Sequence, residues 1–360
     1  MKKEFPRCVF YITLLVLLLG LSGIISIAVC GKFALVWKQS IRLVCGVLLM
    51  WAAAMIPFEK FKRCVPYLAA AALAVLVVLL RYGVKLNGMR GWFKVAGLSI
   101  QPSEPAKAVF LAGLSVLLSW KRVRELPDIL KIAVSGIYTM FWLGVLILQP
   151  DMGTATVYAA SFIAVLYLSK VKLRYILTLF AVGAGAAVCF VITHPYAMRR
   201  ITGFLHPELD PLGKNWHLNQ LLRAVSRGAW TGVKSSNAHW SRSYLPFAYN
   251  DSAFATMCET TGALGAWLTP AAFMAIFYLL CREADKRELP DAQELYVRGA
   301  AFMVVFQSFL HISVNLGIVP VTGITLLFVS YGGSSMISGC LLLGLAFSAL
   351  KSDNNNIQQQ

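Results

Sequence analysis

Carboxylates are scarce in this chain, and several stand at the edges of apolar runs, where a charge is costly. The segment Tyr244-Leu245-Pro246-Phe247-Ala248-Tyr249-Asn250-Asp251-Ser252-Ala253-Phe254-Ala255 places Asp251 where a polar stretch gives way to an apolar one, with Glu259 eight residues on. On a helix that spacing is two turns and puts both carboxylates on about the same face. Partial removal from water then raises a carboxyl pKa into the range of a general base. The same pattern also fits Asp251 as a plain helix N-cap. Glu104 and Lys107 open another apolar run after Gln101-Pro102-Ser103. Three residues apart, they share a helical face and can neutralise each other, as a structural ion pair or as a pair lining a polar cavity. Asp151, in Gln149-Pro150-Asp151-Met152-Gly153-Thr154, suits an N-cap next to a helix dipole. Arg90, in Asn87-Gly88-Met89-Arg90-Gly91-Trp92, adds a cation shortly before Glu104. An ionisable group within a bilayer costs at least a few kcal/mol unless paired or hydrated, so each of these is a functional hypothesis. Val319 to Thr325 and Ser330-Tyr331-Gly332-Gly333-Ser334-Ser335 break the last apolar stretch with Gly and hydroxyl residues. Such residues permit either close helix packing or an irregular backbone that lines a cavity.

The elements that hold these residues follow from composition. Of 360 residues, 58% are hydrophobic and 14% charged, with a mean hydropathy of +0.68; soluble domains lie near 45–50% apolar and about 25% charged. An ordinary soluble enzyme is excluded. Apolar runs at about 8–30, 41–56, 64–82, 104–119, 129–148, 154–168, 173–193, 252–281, 299–318 and 323–350 give ten candidate spans. The expected fold is an all-α polytopic membrane protein, a single domain over 1–360, with about ten transmembrane helices. One long folded extracytoplasmic loop is expected at about 194–250, and a polar tail at 352–360. The first run is too long for a removable signal peptide and reads as an anchoring helix. Ten spans put both termini on one side. With the N-terminus cytoplasmic, the inward segments carry 17 Lys and Arg and the short outer ones seven, Lys32, Lys38, Arg42, Arg81, Lys85, Arg90 and Lys94, as the positive-inside rule requires. The net charge of +17 is read in the same way, through cytoplasmic loops and anionic membrane lipids, with no nucleic-acid partner. The eight cysteines are scattered without a CxxC pair, so neither a disulfide framework nor a zinc site is indicated. The long loop carries Trp216, Trp230, Trp240, Tyr244 and Tyr249, too aromatic for disorder, and is expected to fold back on the membrane surface.

Taken in order, Arg90-Gly91-Trp92, Gln101-Pro102-Ser103-Glu104 with Lys107, Gln149 to Ala155, Pro207 to Gly213 (PELDPLG), and Pro320-Val321-Thr322-Gly323 followed by Ser330 to Ser335 resemble the FtsW/RodA/SpoVE family, the SEDS proteins. The resemblance covers nearly the whole chain. It implies a peptidoglycan glycosyltransferase that polymerises lipid II at the outer face of a bacterial cytoplasmic membrane, for cell division or cell-shape maintenance. The partner it implies is a class B penicillin-binding protein acting as transpeptidase, with lipid II and undecaprenyl diphosphate-linked glycan as substrates. The family's essential aspartate lies in a Thr-Asp-Phe-Ile-Phe-Ala stretch, which here reads Asn250-Asp251-Ser252-Ala253-Phe254-Ala255; the catalytic role therefore carries onto Asp251. Glu104 and Lys107 match the Glu and Lys of the family's central cavity. Expected substrate contacts are Arg90, Glu104, Lys107, Asp151, Arg199, Arg200, Glu259 and Ser330, with Arg223 and Arg227 as further cations for the diphosphate. No metal-binding cluster is expected among the side chains, and a divalent cation, Mg or Mn, at the diphosphate is the one cofactor the chemistry could use. Three features depart from the family: one glutamate in Glu259-Thr260-Thr261-Gly262 where two are usual, a glycine-rich segment reduced to Ser226 to Val233, and Leu327 in place of a proline. The competing classes are a flippase for lipid-linked precursors and a non-catalytic scaffold of a wall-synthesis complex.

Overall fold

A computed structural model describes residues 5–86, 89–95, 98–205, 216–233, 240–245 and 247–351; the stretch 207–213 and the tail 352–360 lie outside the described residues. In chain order the elements are α1 (Arg7–Val29), α2 (Phe33–Met55), α3 (Phe58–Tyr82), β1 (Val84–Leu86), β2 (Met89–Val95), β3 (Leu98–Ile100), α4 (Ser103–Ser119), α5 (Lys121–Arg124), α6 (Asp128–Leu148) and α7 (Met152–Leu168). They continue with α8 (Leu173–Thr193), α9 (Pro195–Leu205), α10 (Trp216–Arg227), α11 (Trp240–Ser243), α12 (Ala253–Arg287), α13 (Asp291–Asn315) and α14 (Gly333–Leu350). Proline, which fixes φ and lacks a donor, stands immediately before α1, α3, α4, α6 and α13.

Nine of the ten apolar runs lie in one of these helices to within three residues at their ends, and the last is helical only from Gly333. Among the described residues eight helices are long and apolar enough to cross a membrane: α1, α2, α3, α6, α8, α12, α13 and α14. The apolar α7 is shorter, at 17 residues, and so is α4, which carries Glu104 and Lys107. Large apolar side chains such as Leu14, Leu48, Val78, Phe180 and Trp267 are exposed on the outside of the bundle, while Gln39, Lys107, Gln307, His311 and Asn315 are buried inside it. That distribution fits a bundle solvated by lipid, and the chain is a multi-pass membrane protein. At its centre α14 packs against α2, α4 and α13 and is buried on nearly every face. Small residues bring backbones together there: a Cβ on Gly344 would lie 2.3 Å from the Met50 carbonyl oxygen.

Three expectations change. The helix α2 starts at Phe33, well before the apolar run at 41, so Lys38 and Arg42 stand on a helix and not in an outer connection. The last run, expected as a span over 323–350, is helical only from Gly333. Pro320 and Gly323, at φ 70°, stand before and at its start, and residues 316–332 form an irregular segment that is buried from Leu326 to Ser330. Side chains satisfy its backbone, the condition for irregular structure at membrane depth: Gln307 Nε2 donates to Thr325 O (3.2 Å), His311 Nδ1 to Ile324 O (2.7 Å) and Gln39 Nε2 to Ser330 O (3.1 Å). The third change is a small antiparallel sheet in the order β1-β2-β3 between α3 and α4, pairing Val84 with Trp92 and Phe93 with Ile100.

Candidate functional site

The turn from Phe247 to Ser252 carries Asp251 into the start of α12. Asp251 precedes the helix, and the N-cap is Ser252, so neither the same-face geometry with Glu259 nor the plain N-cap holds. What holds the turn is its main chain. Asn315, at the end of α13, donates from Nδ2 to Asp251 O (3.0 Å) and accepts at Oδ1 from Ala255 N (3.0 Å). The irregular segment grips the neighbouring residues: Ser330 Oγ donates to Asn250 O (2.8 Å) while accepting from Leu326 N (2.9 Å), and Tyr331 N donates to Tyr249 O (2.6 Å). From α10, His217 Nε2 lies 3.1 Å from Ser252 Oγ, and burial lowers the His217 pKa. The Asp251 carboxylate itself makes no hydrogen bond among the described residues. Burial pushes its pKa up to about 6. A carboxylate with a fixed backbone, free oxygens and a pKa near neutrality is suited to take a proton from a bound hydroxyl.

Glu259 does different work. It is fully buried on α12 and accepts from Trp240 N (2.5 Å), Ser241 N (2.8 Å) and Ser241 Oγ, and it pairs with Arg227 Nε (3.3 Å). Its carboxylate therefore ties α10 and α11 to α12. Three residues later α12 is broken at Gly262, where φ is 66° and ψ −156°. Residues 228–233 fill the break, with Val233 N donating to Glu259 O (2.8 Å) and Ala263 N to Ala229 O (2.9 Å). A Cβ on Gly228 would lie 2.0 Å from Cys258 O, and one on Gly232 would lie 2.2 Å from Thr260 O. The reduced glycine segment thus keeps glycine at both positions where backbone meets backbone.

Toward the middle of the bundle Lys107 Nζ lies 2.8 Å from Glu104 Oε1 and donates to Gln307 Oε1 at 2.7 Å. Both charges are buried, and Glu104 Oε2 has no hydrogen-bond partner among the described residues. Breaking such a pair is costly because one buried charge is left alone. Lys107→Met is expected to destabilise the protein by about 3–5 kcal/mol, whereas the double variant Glu104→Gln/Lys107→Met should recover most of the loss. Thermal denaturation of the detergent-solubilised protein checks both.

Gln307, His311 and Asn315 recur every four residues along one face of α13, a row that runs from Lys107 to the Asp251 turn. Since His311 Nδ1 faces a carbonyl it carries the proton, and Nε2 accepts from Asn315 Nδ2 at 3.2 Å. Sequence reasoning passed over this row, although polar residues at i, i+4 and i+8 of an apolar helix were the signal for it. The remaining expected contacts are dispersed. Asp151 caps α7, its carboxylate accepting from Thr154 N (3.1 Å), Gln101 Nε2 (3.1 Å) and Ser103 Oγ (3.3 Å). Arg90 lies exposed on β2 and donates from Nη1 to Leu80 O (3.1 Å). Arg223 sits over the Trp240 ring at 5.7 Å. Arg199 and Arg200 are on α9, with side chains outside the described residues. Ser330 serves the turn through its bond to Asn250.

Known proteins carry the same architecture. The family model described as "Cell cycle protein" (FTSW_RODA_SPOVE) matches residues 5–355. Similar relatives include the "Probable peptidoglycan glycosyltransferase FtsW" of Coxiella burnetii, 33% identical over 318 residues, covering 86% of this chain and 84% of that protein. The protein of the same description from Nitrosococcus halophilus is 32% identical, covering 86% and 81%. Among solved structures, a chain described under "Structural coordination of polymerization and crosslinking by a peptidoglycan synthase complex" superposes with a TM-score of 0.82 at 25% identity, over 99% of both chains. The rod shape determining protein RodA of Thermus thermophilus matches with a TM-score of 0.74 at 24% identity, also over 99% of both, and supports the fold.

Proposed function

Because the chain belongs to the FtsW/RodA/SpoVE family, we propose that it is a peptidoglycan glycosyltransferase. It polymerises lipid II at the outer face of the cytoplasmic membrane, with both termini cytoplasmic and ten crossings. The observation that carries the reading is Asp251: a clamped main chain, a carboxylate without a partner among the described residues, and a pKa raised toward neutrality by burial.

The reaction is an inverting transfer. Asp251 takes the proton of the C4 hydroxyl of an incoming lipid II as the oxygen attacks the anomeric carbon of the growing chain. The bond from that carbon to the diphosphate oxygen breaks, and undecaprenyl diphosphate leaves with the electron pair. General-base help is worth about 10²–10⁴-fold. Glu104, Lys107 and Gln307 form a buried polar cluster at the other end of the α13 row from the turn, and Glu259 ties α11 to α12. Among the described residues no three His, Cys, Asp or Glu side chains gather. A Mg or Mn ion would take most of its ligands from diphosphate and water, and no step here depends on one. A class B penicillin-binding protein is the proposed partner, supported by the similarity to a chain of a peptidoglycan synthase complex.

The direct test is polymerisation of labelled lipid II by the purified protein, alone and with its cognate transpeptidase. Strands made by the wild type support the reading; none even with the partner would move it to transport or scaffolding. The same assay reads the clamp. Asn315→Leu removes both bonds to the Asp251 turn, and a base displaced by an ångström loses about a hundredfold in rate. The expected result is that fall in kcat with KM for lipid II little changed, measured by initial rates at varied lipid II.

A further inference from the structure

A leaving diphosphate needs its charge neutralised, and the cations expected to do this are largely engaged. Lys107 lies between Glu104 and Gln307, Arg227 pairs with Glu259, and Arg90 donates to Leu80 O from an exposed strand. Arg42, which the sequence assigned to an outer connection, differs. It projects from α2 with its guanidinium carbon 4.2 Å above the centre of the Tyr331 ring, and a Cβ on Gly333 would lie 3.2 Å from its Nε. Its Nη1 is shut off from solvent and has no hydrogen-bond partner among the described residues. A guanidinium stacked on an aromatic face keeps its N–H groups in its own plane, free to meet a planar or phosphoryl anion. Leaving such a donor buried and unused is unfavourable unless a ligand accepts from it.

Two rings, Tyr331 and Tyr249, connect it to the turn that carries the proposed base. Tyr331 donates its backbone N–H to Tyr249 O, and the two rings meet edge to face at 5.7 Å. The next residue, Asn250, accepts at its carbonyl from Ser330 and has a buried Oδ1 without a partner among the described residues, and Asp251 follows. In an inverting displacement the leaving group departs on the side of the anomeric carbon away from the attacking hydroxyl. A cation joined to the base's turn through this ring pair, and not in contact with the base, is placed to receive that group.

We infer that Arg42 binds a phosphoryl oxygen of a polyprenyl diphosphate, the group that links lipid to saccharide in the substrate and departs in the reaction. This deepens the glycosyltransferase reading and rests on it for the identity of the ligand.

The test uses the full chain in nanodiscs, with undecaprenyl diphosphate and uncharged undecaprenol as probes. Arg42→Gln is expected to weaken binding of the diphosphate about tenfold or more, the size of one charge-assisted hydrogen bond. Binding of undecaprenol should be unchanged, and Arg42→Lys should restore part of the loss. Equal weakening of both probes would assign Arg42 a structural role through Tyr331 and overturn the inference. So would unchanged diphosphate binding, or equal competition by phosphatidylglycerol in the bilayer, which would make the ligand a general anionic headgroup. If the variants do not fold, phenylglyoxal labelling of the wild type decides, since undecaprenyl diphosphate must protect Arg42 and leave the exposed Arg122 of α5 reactive. Diphosphate binding that depends on Arg42 in a protein making no glycan would defeat the polymerase reading and leave the anion site standing.

Discussion

Asp251→Asn is expected to abolish glycan synthesis from lipid II, a fall of at least about 10²–10⁴-fold for loss of general-base help. The substitution keeps the side chain's size and removes only its basicity, so the turn held by Asn315, Ser330 and Tyr331 should persist and the variant should keep wild-type thermal stability. Gel analysis of labelled lipid II with the purified variant and its partner reads the result. The pH profile gives a second, independent reading. A base works when ionised, so activity is lost as pH falls through its pKa; burial sets that of Asp251 at about 6, and the acid limb of kcat/KM should bend there instead of near the ordinary carboxylate value of about 4. Full activity in the Asn variant, or an acid limb bending near 4, would remove Asp251 from the chemistry.

How much of this was legible in the sequence depends on the kind of signal. Ten apolar runs are a long-range compositional pattern, and all but the last, which is helical only from Gly333, lie in a helix. The proposed base was readable only in part: pattern alone left Asp251 open as a general base or a plain helix N-cap, and the resemblance of Asn250 to Ala255 to the family's aspartate stretch carried the role onto it. Its geometry was not. Pattern alone placed Asp251 on the helix with Glu259, but the helix begins at Ala253, and Glu259 turns instead toward the amides of Trp240 and Ser241, some twenty residues earlier in the chain. Partners that distant in sequence leave no periodicity to detect. The row Gln307, His311 and Asn315 was within reach of inspection, since its spacing is helical, yet hydropathy averaged over α13 hides it. The segment 316–332 was hardest: its residues are as apolar as a span, and only Pro320, Gly323 and the side chains that bond its backbone make it irregular. Arg42 was placed wrongly for a related reason, because Lys38, Gln39 and Arg42 lower the local hydropathy of a helix that begins at Phe33.

Gly262→Ala is expected to detach the outer loop while leaving the transmembrane bundle intact. The break in α12 needs φ 66° with ψ −156°, a conformation open essentially to glycine alone, and forcing another residue into it costs about 1–3 kcal/mol. Space adds to that cost. A Cβ there would lie 2.5 Å from Gly232 N and 2.5 Å from Trp230 O, both backbone atoms with no flexible end to move aside. The helix can relieve the strain only by expelling residues 228–233, which gives up the bonds from Val233 N to Glu259 O and from Ala263 N to Ala229 O. The amides that Glu259 gathers from α11 would then lose their anchor too, a total expected to exceed about 3 kcal/mol locally. Limited proteolysis should cut the variant within 228–245 while its helical content by circular dichroism stays that of the wild type. Polymerisation should be lost with Asp251 untouched, because α10 and α11, which pack beside the turn, are no longer held. Gly183→Ala on α8 is the control: a Cβ there meets nothing within 4 Å, so stability should change by no more than about 0.5 kcal/mol and activity not at all. A Gly262→Ala protein that resists protease and polymerises like the wild type would mean that the loop does not depend on the break, and that the glycines kept at 228 and 232 answer to something other than this backbone contact.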